Sequence, residues 1–200
     1  MHKYECIKKT ITTYEKTAEE YDRRHHDIEE IRWMIDCFIR ELSGIKVLDL
    51  GCGPGRDARY FADHGLEVTG IDLTKNFIDM ASRKVPEATF IYTDMRDLNL
   101  PDNSFDGIWA CASLLHIPKD EAKDTLKNLC KMLKENGAIH ISVKEGHGEK
   151  MITKDDAERF FAFYTKDELK YLMESCGLKI TENCKQMTDK RWIAFLGKKI

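Results

Sequence analysis

The sequence predicts an α/β fold: a doubly wound, seven-stranded, mostly parallel sheet with one antiparallel strand and helices on both faces. Apolar β-rich runs alternate with amphipathic helical segments five times along the chain, which is typical of parallel strands joined by crossover helices. The runs are apolar almost throughout, as expected of strands buried on both faces. Two final runs follow with no helix between them, which predicts a hairpin-like pair and hence the antiparallel strand.

The boundaries of the helices and strands follow from the spacing of the apolar residues and from the residues that end a helix. Apolar residues recur at helical spacing, and Gly or Pro follows each helical segment, with Gly137 expected to end the fourth helix. Thr74 is a candidate N-cap, and Thr165 with Glu168 fits a capping box. The predicted helices cover 27–43, 57–64, 74–85, 120–135 and 165–176. The predicted strands cover 45–50, 67–72, 88–93, 105–110, 138–143, 178–181 and 191–196.

Composition limits the functions that this chain can have. Its 200 residues correspond to about one domain, and a net charge of −3 offers no basic field for a nucleic-acid partner. Uncharged stretches fall far short of the roughly 20 residues that span a bilayer, and no apolar signal segment opens the chain. Seven cysteines without a C-x-x-C pair favour reduced thiols and no metal site. We therefore expect a cytoplasmic protein with no membrane partner.

Acidic residues stand where three consecutive predicted strands end. Asp49 closes the first strand, Asp72 closes the second, and Asp94 follows the third. A glycine-rich loop at 51–55 comes directly after the first strand, and glycines let the backbone turn tightly and approach a ligand closely. Because open α/β sheets bind ligands at the carboxyl ends of their strands, we expect these residues to share one crevice.

The chemistry of this crevice disfavours a phosphate-bearing ligand. Asp49 would repel a pyrophosphate. The third glycine of the dinucleotide-binding motif G-x-G-x-x-G is absent, since Arg56 follows Gly55 directly. The Gly-Lys-Ser/Thr of a phosphate-binding P-loop is also absent. A cationic ligand rich in hydrogen-bond donors fits three acidic acceptors better. S-adenosylmethionine carries an α-ammonium, a ribose diol, an adenine amine and a sulfonium, and it is the ligand that these residues favour.

Five segments match, in order and spacing, the successive motifs of class I S-adenosylmethionine-dependent methyltransferases. They are VLDLGCGPG (47–55), GID (70–72), TDM (93–95), FDGIWACASLLHIP (105–118) and GAIHISVKEG (137–146). The chain thus resembles the small-molecule methyltransferases of this class, similar to types 11 and 25, over residues 40–146 and again at its final strand pair. The resemblance implies a Rossmann-like fold, a single domain over 1–200, S-adenosylmethionine as the cofactor and S-adenosylhomocysteine as its product.

The same resemblance implies roles for the residues at matching positions. Asp72 would accept hydrogen bonds from the ribose hydroxyls, and Leu73 would pack on the adenine. Asp94 and Met95 would meet the adenine edge. Residues at the ends of the first and fourth strands would line the methionine end: Asp49, Gly51, Cys52, Gly53, Ala110 and Cys111.

Two further segments are candidates for covering the site. Residues 1–26 resemble the lid helix of small-molecule members, with Tyr14 and Tyr21 over the cofactor, although their spacing fits core packing equally well. The insertion 146–165 could cover the acceptor pocket, since connections of this length are often functional. Its aromatic residues at 160–164 could wall that pocket or belong to the core. Arg159 could bind an acidic substrate or lie at the surface.

The predicted reaction is methyl transfer by in-line displacement to a small-molecule acceptor. Such a reaction mainly needs alignment and exclusion of water, and the motifs of amino-methylating and cytosine-methylating enzymes are absent after the fourth strand. His116 is a candidate general base or substrate contact, or it could cap the next helix. The alternatives are a catalytically silent binding module for the same cofactor and an NAD(P)-dependent oxidoreductase.

Overall fold

The computed structural model describes residues 3–154, 157–184 and 192–200. The helices are α1 (Lys3–His25), α2 (Arg32–Arg40), α3 (Arg56–Asp63), α4 (Lys75–Lys84), α5 (Lys119–Met132) and α6 (Lys166–Glu174). The strands are β1 (Lys46–Leu50), β2 (Glu67–Asp72), β3 (Thr89–Tyr92), β4 (Phe105–Cys111), β5 (Leu133–Lys144), β6 (Glu149–Lys154), β7 (Ala157–Ala162), β8 (Leu178–Cys184) and β9 (Trp192–Lys199). Short 3₁₀ helices occupy Met95–Asp97 and Leu114–His116.

Seven strands form one sheet in the order β3-β2-β1-β4-β5-β9-β8. β9 runs antiparallel to both β5 and β8, while β1 to β5 pair in parallel. The predicted fold class is therefore confirmed. The strand order reverses between β1 and β4, and in open α/β sheets this switch point opens the ligand crevice. Asp49, in β1, pairs with Gly70 in β2 and Trp109 in β4, so it lies at the centre of that region.

Both faces of the sheet are buried, which explains the continuous apolar runs. Along β1, Leu48 packs into a cluster that contains Leu126 of α5, whereas Val47 packs into a second cluster with α2 and α3. In the second cluster the ring of Trp109 lies 5.2 Å from that of Phe38. Neighbouring residues of one strand thus face opposite cores, and helices cover each face as predicted.

Several helix boundaries differ from the prediction, most of all those of α2, which ends at Arg40 rather than at 43, and of α5. α2 begins at Arg32 rather than at 27, because Asp27 accepts a hydrogen bond from the Glu29 amide at 2.8 Å and closes a turn there. α5 ends at Met132, since β5 already begins at Leu133.

Gly137 does not end α5, although a C-terminal glycine was expected there. The left-handed residue after this helix is Asn136, with φ of 62°. A Cβ on Gly137 would lie 2.7 Å from Leu133 Cδ1. The glycine therefore permits a close approach within β5 rather than a helix stop.

The insertion contains a hairpin that was not predicted. β6 and β7 pair as a separate two-stranded antiparallel sheet. Thr13 Oγ1 of α1 donates to the Glu158 carbonyl at 2.8 Å, so the hairpin supports the N-terminal helix.

Parts of three predicted segments lie outside the described residues. These are residues 1–2 of the lid, 155–156 of the insertion and Arg191 of the last strand. Among the described helices, none has the length and apolar content needed to cross a membrane.

Candidate functional site

The loop after β1 approaches the segment that follows β4 so closely that only glycine fits at its start. Gly51 has φ of 67°, and a Cβ there would lie 2.6 Å from the Ser113 Cβ. Gly53 has φ of 53°, and a Cβ there would meet nothing within 4 Å, because this side of the loop faces an open space. The backbone of the loop is therefore exposed to whatever occupies the crevice.

Asp72 joins the end of β2 to this loop. Its Oδ2 accepts from the Gly53 amide at 3.0 Å, and its Oδ1 accepts from the Thr74 amide at 2.8 Å. Burial raises the pKa of Asp72, while these amide hydrogen bonds oppose that shift. Thr74 is the N-cap of α4 as predicted, but its side chain makes no capping hydrogen bond. The strand-end acid and the glycine loop are thus brought together as predicted.

Asp49 lies beneath the loop rather than at its surface. It is only 2% exposed, and its Oδ2 has no hydrogen-bond partner among the described residues. Burial, followed by the charge of Asp57, raises its pKa well above the usual range. A buried oxygen without a partner is costly, and a cationic or donor-rich ligand would satisfy it.

A cavity opens between α1 and the carboxyl ends of β1 to β4. Ten predicted residues line it: Tyr14, Tyr21, Gly51, Gly53, Asp72, Leu73, Asp94, Met95, Cys111 and His116. The other three, Asp49, Cys52 and Ala110, are buried and do not line it. Prediction missed further lining residues: Ile7, Thr10, Ile11, Ile71, Thr74, Phe77, Thr93, Arg96, Ala112, Ser113 and Ile117. The recurrence of Ile7, Ile11, Tyr14 and Tyr21 at helical spacing was the signal that could have located the α1 wall.

Asp94 lines the cavity, and the Arg96 guanidinium balances the charge of its carboxylate. Its carboxylate accepts from the Arg96 amide at 2.9 Å and from the Arg96 guanidinium, the shortest of these contacts being 2.6 Å. The same guanidinium donates to Glu121 at 2.7 Å. Asp94 therefore differs from Asp49, because both of its oxygens already have donors.

Three aromatic rings close the cavity from above. The rings of Tyr14 and Tyr21 are 5.5 Å apart, and each lies near Phe77 of α4, at 5.6 and 5.3 Å. Burial raises the pKa of both tyrosines, so both hydroxyls are protonated near neutral pH. Both tyrosines line the cavity and also pack against each other, and their contact with a cofactor stays a prediction.

His116 connects the site to the hairpin instead of capping α5. Its Nδ1 lies 2.6 Å from the Phe160 carbonyl oxygen, and its Nε2 lies 2.9 Å from the Tyr14 hydroxyl. Burial lowers the pKa of His116 to about 4, so the ring is neutral near neutral pH. Both ring nitrogens are therefore already hydrogen-bonded, which leaves neither free to take a proton directly from a substrate.

The aromatic residues of the insertion belong to the core. Phe160, Phe161 and Tyr164 are buried in the main cluster, and Phe163 packs against it. Arg159 lies among them, with its guanidinium carbon 5.6 Å from the ring centres of both Tyr14 and Phe161. None of the aromatic residues at 160–164 lines the cavity.

The six cysteines with described side chains form no disulfide with one another. Burial raises the pKa of Cys111, which lines the cavity, to about 12, so this thiol is protonated. Within residues 3–154, 157–184 and 192–200 no three His, Cys, Asp or Glu side chains cluster as metal ligands would.

Comparisons with known proteins agree with this geometry. A family model described as a methyltransferase domain matches residues 47–137. O-methyltransferase rstn1 of Aspergillus nomiae is 28% identical over 72% of this chain and 68% of its own. A malonyl-[acyl-carrier protein] O-methyltransferase of Enterobacter lignolyticus is 32% identical over 47% of this chain. The chain covers only 37% of that protein, so part of its length has no counterpart here.

A solved structure shares the whole architecture. It is the 1,6-didemethyltoxoflavin-N1-methyltransferase of Burkholderia thailandensis, crystallised with 1,6-didemethyltoxoflavin and S-adenosylhomocysteine. The TM-score is 0.82 with 21% identity, covering 100% of this chain and 91% of that one. Because the identity is only 21%, this match shows the fold alone. The site is indicated by the strand-end acids and by the methyltransferase domain that matches residues 47–137. The matched methyltransferase domain and the shared fold together support a class I S-adenosylmethionine-dependent methyltransferase.

Proposed function

We propose that this protein transfers a methyl group from S-adenosylmethionine to a small-molecule acceptor by in-line displacement. The observation that carries the proposal is the juxtaposition of Asp49 and Asp72 around a glycine loop that opens into a covered cavity. The likeness to a solved methyltransferase crystallised with the small molecule 1,6-didemethyltoxoflavin supports a small-molecule acceptor.

The residues present fit this cofactor. The unpartnered Oδ2 of Asp49, which lies beneath the loop, suits a positively charged methionine end bound at the cavity wall near Gly51, Gly53 and Cys111. Asp72 would accept from the ribose, Leu73 would pack on the adenine, and Asp94 with Met95 would bound its edge. Cys52 and Ala110 would support the methionine end from beneath, since both are buried. The cofactor supplies an activated methyl group on a sulfonium.

The chain itself supplies alignment and exclusion of water. Tyr14, Tyr21 and Phe77 cover the cavity, so α1 acts as the lid of a single domain that extends over 1–200. The hairpin within 146–165 holds this lid rather than lining the cavity. A cytoplasmic location is part of the proposal, because the described cysteines form no disulfide with one another and reducing compartments maintain thiols.

Titration calorimetry with S-adenosylmethionine tests the proposal, followed by detection of labelled methyl transfer. We expect Asp72→Asn to weaken binding about 10- to 100-fold, since hydrogen bonds to charged groups contribute about 1.5–3 kcal/mol. Asp63→Asn, an exposed acid at the end of α3, is the matched control and should bind like the wild type. Absence of binding by the wild-type chain, or undiminished binding by Asp72→Asn, would contradict the proposal.

A further inference from the structure

The hydrogen bonds around His116 fix which of its nitrogens carries the proton. The Phe160 carbonyl oxygen lies 2.6 Å from Nδ1, and a carbonyl oxygen can only accept. Nδ1 therefore carries the hydrogen. Because the buried ring is neutral, Nε2 carries a lone pair and must accept.

This polarity determines the orientation of the Tyr14 hydroxyl. Tyr14 Oη lies 2.9 Å from Nε2, so the hydroxyl donates its single hydrogen to His116. Its oxygen accepts from Arg159 Nη1 at 3.4 Å and retains acceptor capacity. Any further partner of Tyr14 Oη must therefore donate a hydrogen bond to it.

Tyr14 and His116 both line the cavity beneath α1, beside Thr10 and Ile117. We propose that Tyr14 is the catalytic residue that meets the methyl acceptor, and that it selects acceptors with an O–H or N–H group to donate. This inference rests on the proposed function. It excludes carboxylates and carbonyl oxygens as the atoms that face Tyr14.

The proton and electron movements balance. The X atom of the acceptor's X–H group forms the bond to the methyl carbon, and the S–CH₃ bond breaks with its electron pair remaining on sulfur. The X–H proton moves to Tyr14 Oη as the Tyr14 proton moves to His116 Nε2. The positive charge of the sulfonium thus ends on the imidazolium, whose Nδ1–H remains bonded to Phe160. Water takes this proton when α1 opens.

The surrounding charges favour acidic acceptor groups. The cations facing His116 are Arg159 and Lys144, and both disfavour the imidazolium. Arg159 also faces Tyr14 and stabilises negative charge that develops on Oη, whereas Asp72 opposes it. Because the relay ends on a weak base, we expect phenolic hydroxyls and acidic heterocyclic N–H groups to react in preference to alkyl alcohols.

Nitrogen-15 NMR of the histidine side chains tests the polarity without any acceptor. With S-adenosylhomocysteine added, we expect His116, assigned by its loss in His116→Gln, to show a protonated Nδ1 and an unprotonated Nε2. Tyr14→Phe should shift the Nε2 resonance, while exposed His64 serves as an unmoved reference. A protonated Nε2 on His116, or a resonance that Tyr14→Phe leaves unchanged, overturns the proposal.

Labelled methyl transfer tests the catalytic role. The probes are para-substituted phenols of increasing acidity, with the matching benzoates as acceptors that lack a donor. We expect transfer to the phenols, and at least a tenfold lower kcat in Tyr14→Phe with the dissociation constant of S-adenosylhomocysteine within twofold. Tyr4→Phe, an exposed tyrosine of the same helix, is the control.

The outcomes separate this inference from the proposed function. Preferred transfer to benzoates, or an unchanged kcat in Tyr14→Phe, overturns the inference while methyl transfer itself stands. A wild-type chain that does not bind the cofactor contradicts the proposed function instead. If no probe is methylated, the NMR result decides on the polarity and with it on the inference.

Discussion

The carboxylate of Glu15 in α1 accepts hydrogen bonds from the backbone amides of Lys75 and Asn76, the first two residues of α4. The Asn76 side chain donates in return to the Glu15 carbonyl at 2.9 Å. Thr74 occupies the N-cap without a side-chain hydrogen bond, so Glu15 supplies the cap from another helix. Since α4 follows Asp72, α1 is mechanically connected to the acid that we propose binds the ribose.

Removing this cap should loosen the lid. We expect Glu15→Ala to lower the free energy of unfolding by about 1–2 kcal/mol, as the loss of an N-cap does, and to speed the release of S-adenosylhomocysteine. Urea unfolding and stopped-flow release measure the two effects. Glu19→Ala, an exposed acid one turn further along α1, is the matched control. Equal release rates in the two variants would show that Glu15 does not hold the lid.

A methyl group added at Gly51 should abolish cofactor binding. Gly51→Ala places a Cβ 2.6 Å from Ser113 Cβ and also demands a positive φ, so the loop must shift. Gly65→Ala separates the two causes, because Gly65 has φ of 78° but no neighbour within 4 Å. Calorimetry with S-adenosylhomocysteine should show normal binding by Gly65→Ala and none by Gly51→Ala. Comparable binding by both variants would refute the steric argument.

His140 should make the fold sensitive to acid. Its ring stacks on Trp109 at 3.9 Å, and burial lowers its pKa to about 3, against about 6.5 in an unfolded chain. Between these values the unfolded state binds more protons, so stability is present above pH 6.5 and is lost as pH falls. From pH 7 to pH 5 this histidine should reduce the unfolding free energy by about 2 kcal/mol.

The variant His140→Phe isolates this contribution, because it retains a stacked aromatic ring without the titrating group. Urea unfolding of both proteins at pH 7 and pH 5 gives the comparison. We expect the wild type to lose about 2 kcal/mol more than the variant over this interval. An equal loss in both would assign the acid sensitivity to other groups, among which His116 also has a lowered pKa.

Trp109 should contribute through both packing and a buried hydrogen bond. Its Nε1 donates to Asp57 Oδ2 at 2.8 Å, and its side chain is fully buried. Trp109→Phe leaves a cavity and removes the donor of Asp57, so we expect a loss of about 2–4 kcal/mol. Trp33→Phe, a half-exposed tryptophan of α2, should lose less than about 1 kcal/mol in the same unfolding experiment. Similar losses in both would be inconsistent with this role.

The sheet and the crevice could be predicted from the sequence because their signals are local. β2 spans the predicted residues 67–72, and the acids at 49 and 72 follow continuous apolar runs whose ends must meet at one edge. The capping box of Thr165 and Glu168 is likewise present as predicted. Each of these features depends on residues within one turn or one strand.

The rest could not be predicted because it depends on pairs far apart in the chain. Tyr14 and His116 are 102 positions apart, and nothing in either segment announces their hydrogen bond. β6 is half-exposed or exposed throughout, so no buried alternation marks it, and its partner β7 is held against α1 by tertiary contacts. Asp94 and Arg96 are only two positions apart, but the hydrogen bond from the Arg96 guanidinium to the Asp94 carboxylate depends on the side-chain geometry of the 3₁₀ turn.

The hairpin of β6 and β7 lies beyond residues 47–137, the part of the chain that the methyltransferase domain family shares, and so does α1. Two hydrogen bonds join α1 to this hairpin. Thr10 Oγ1 accepts from the Phe160 amide at 2.8 Å, and Thr13 Oγ1 donates to the Glu158 carbonyl. Exchange of α1 and the hairpin as a unit would change the contacts to His116 and α4 but no residue of 47–137. Replacement of α1 and the β6–β7 hairpin together would therefore be a route by which acceptor specificity changes in evolution, while the domain of residues 47–137 is kept.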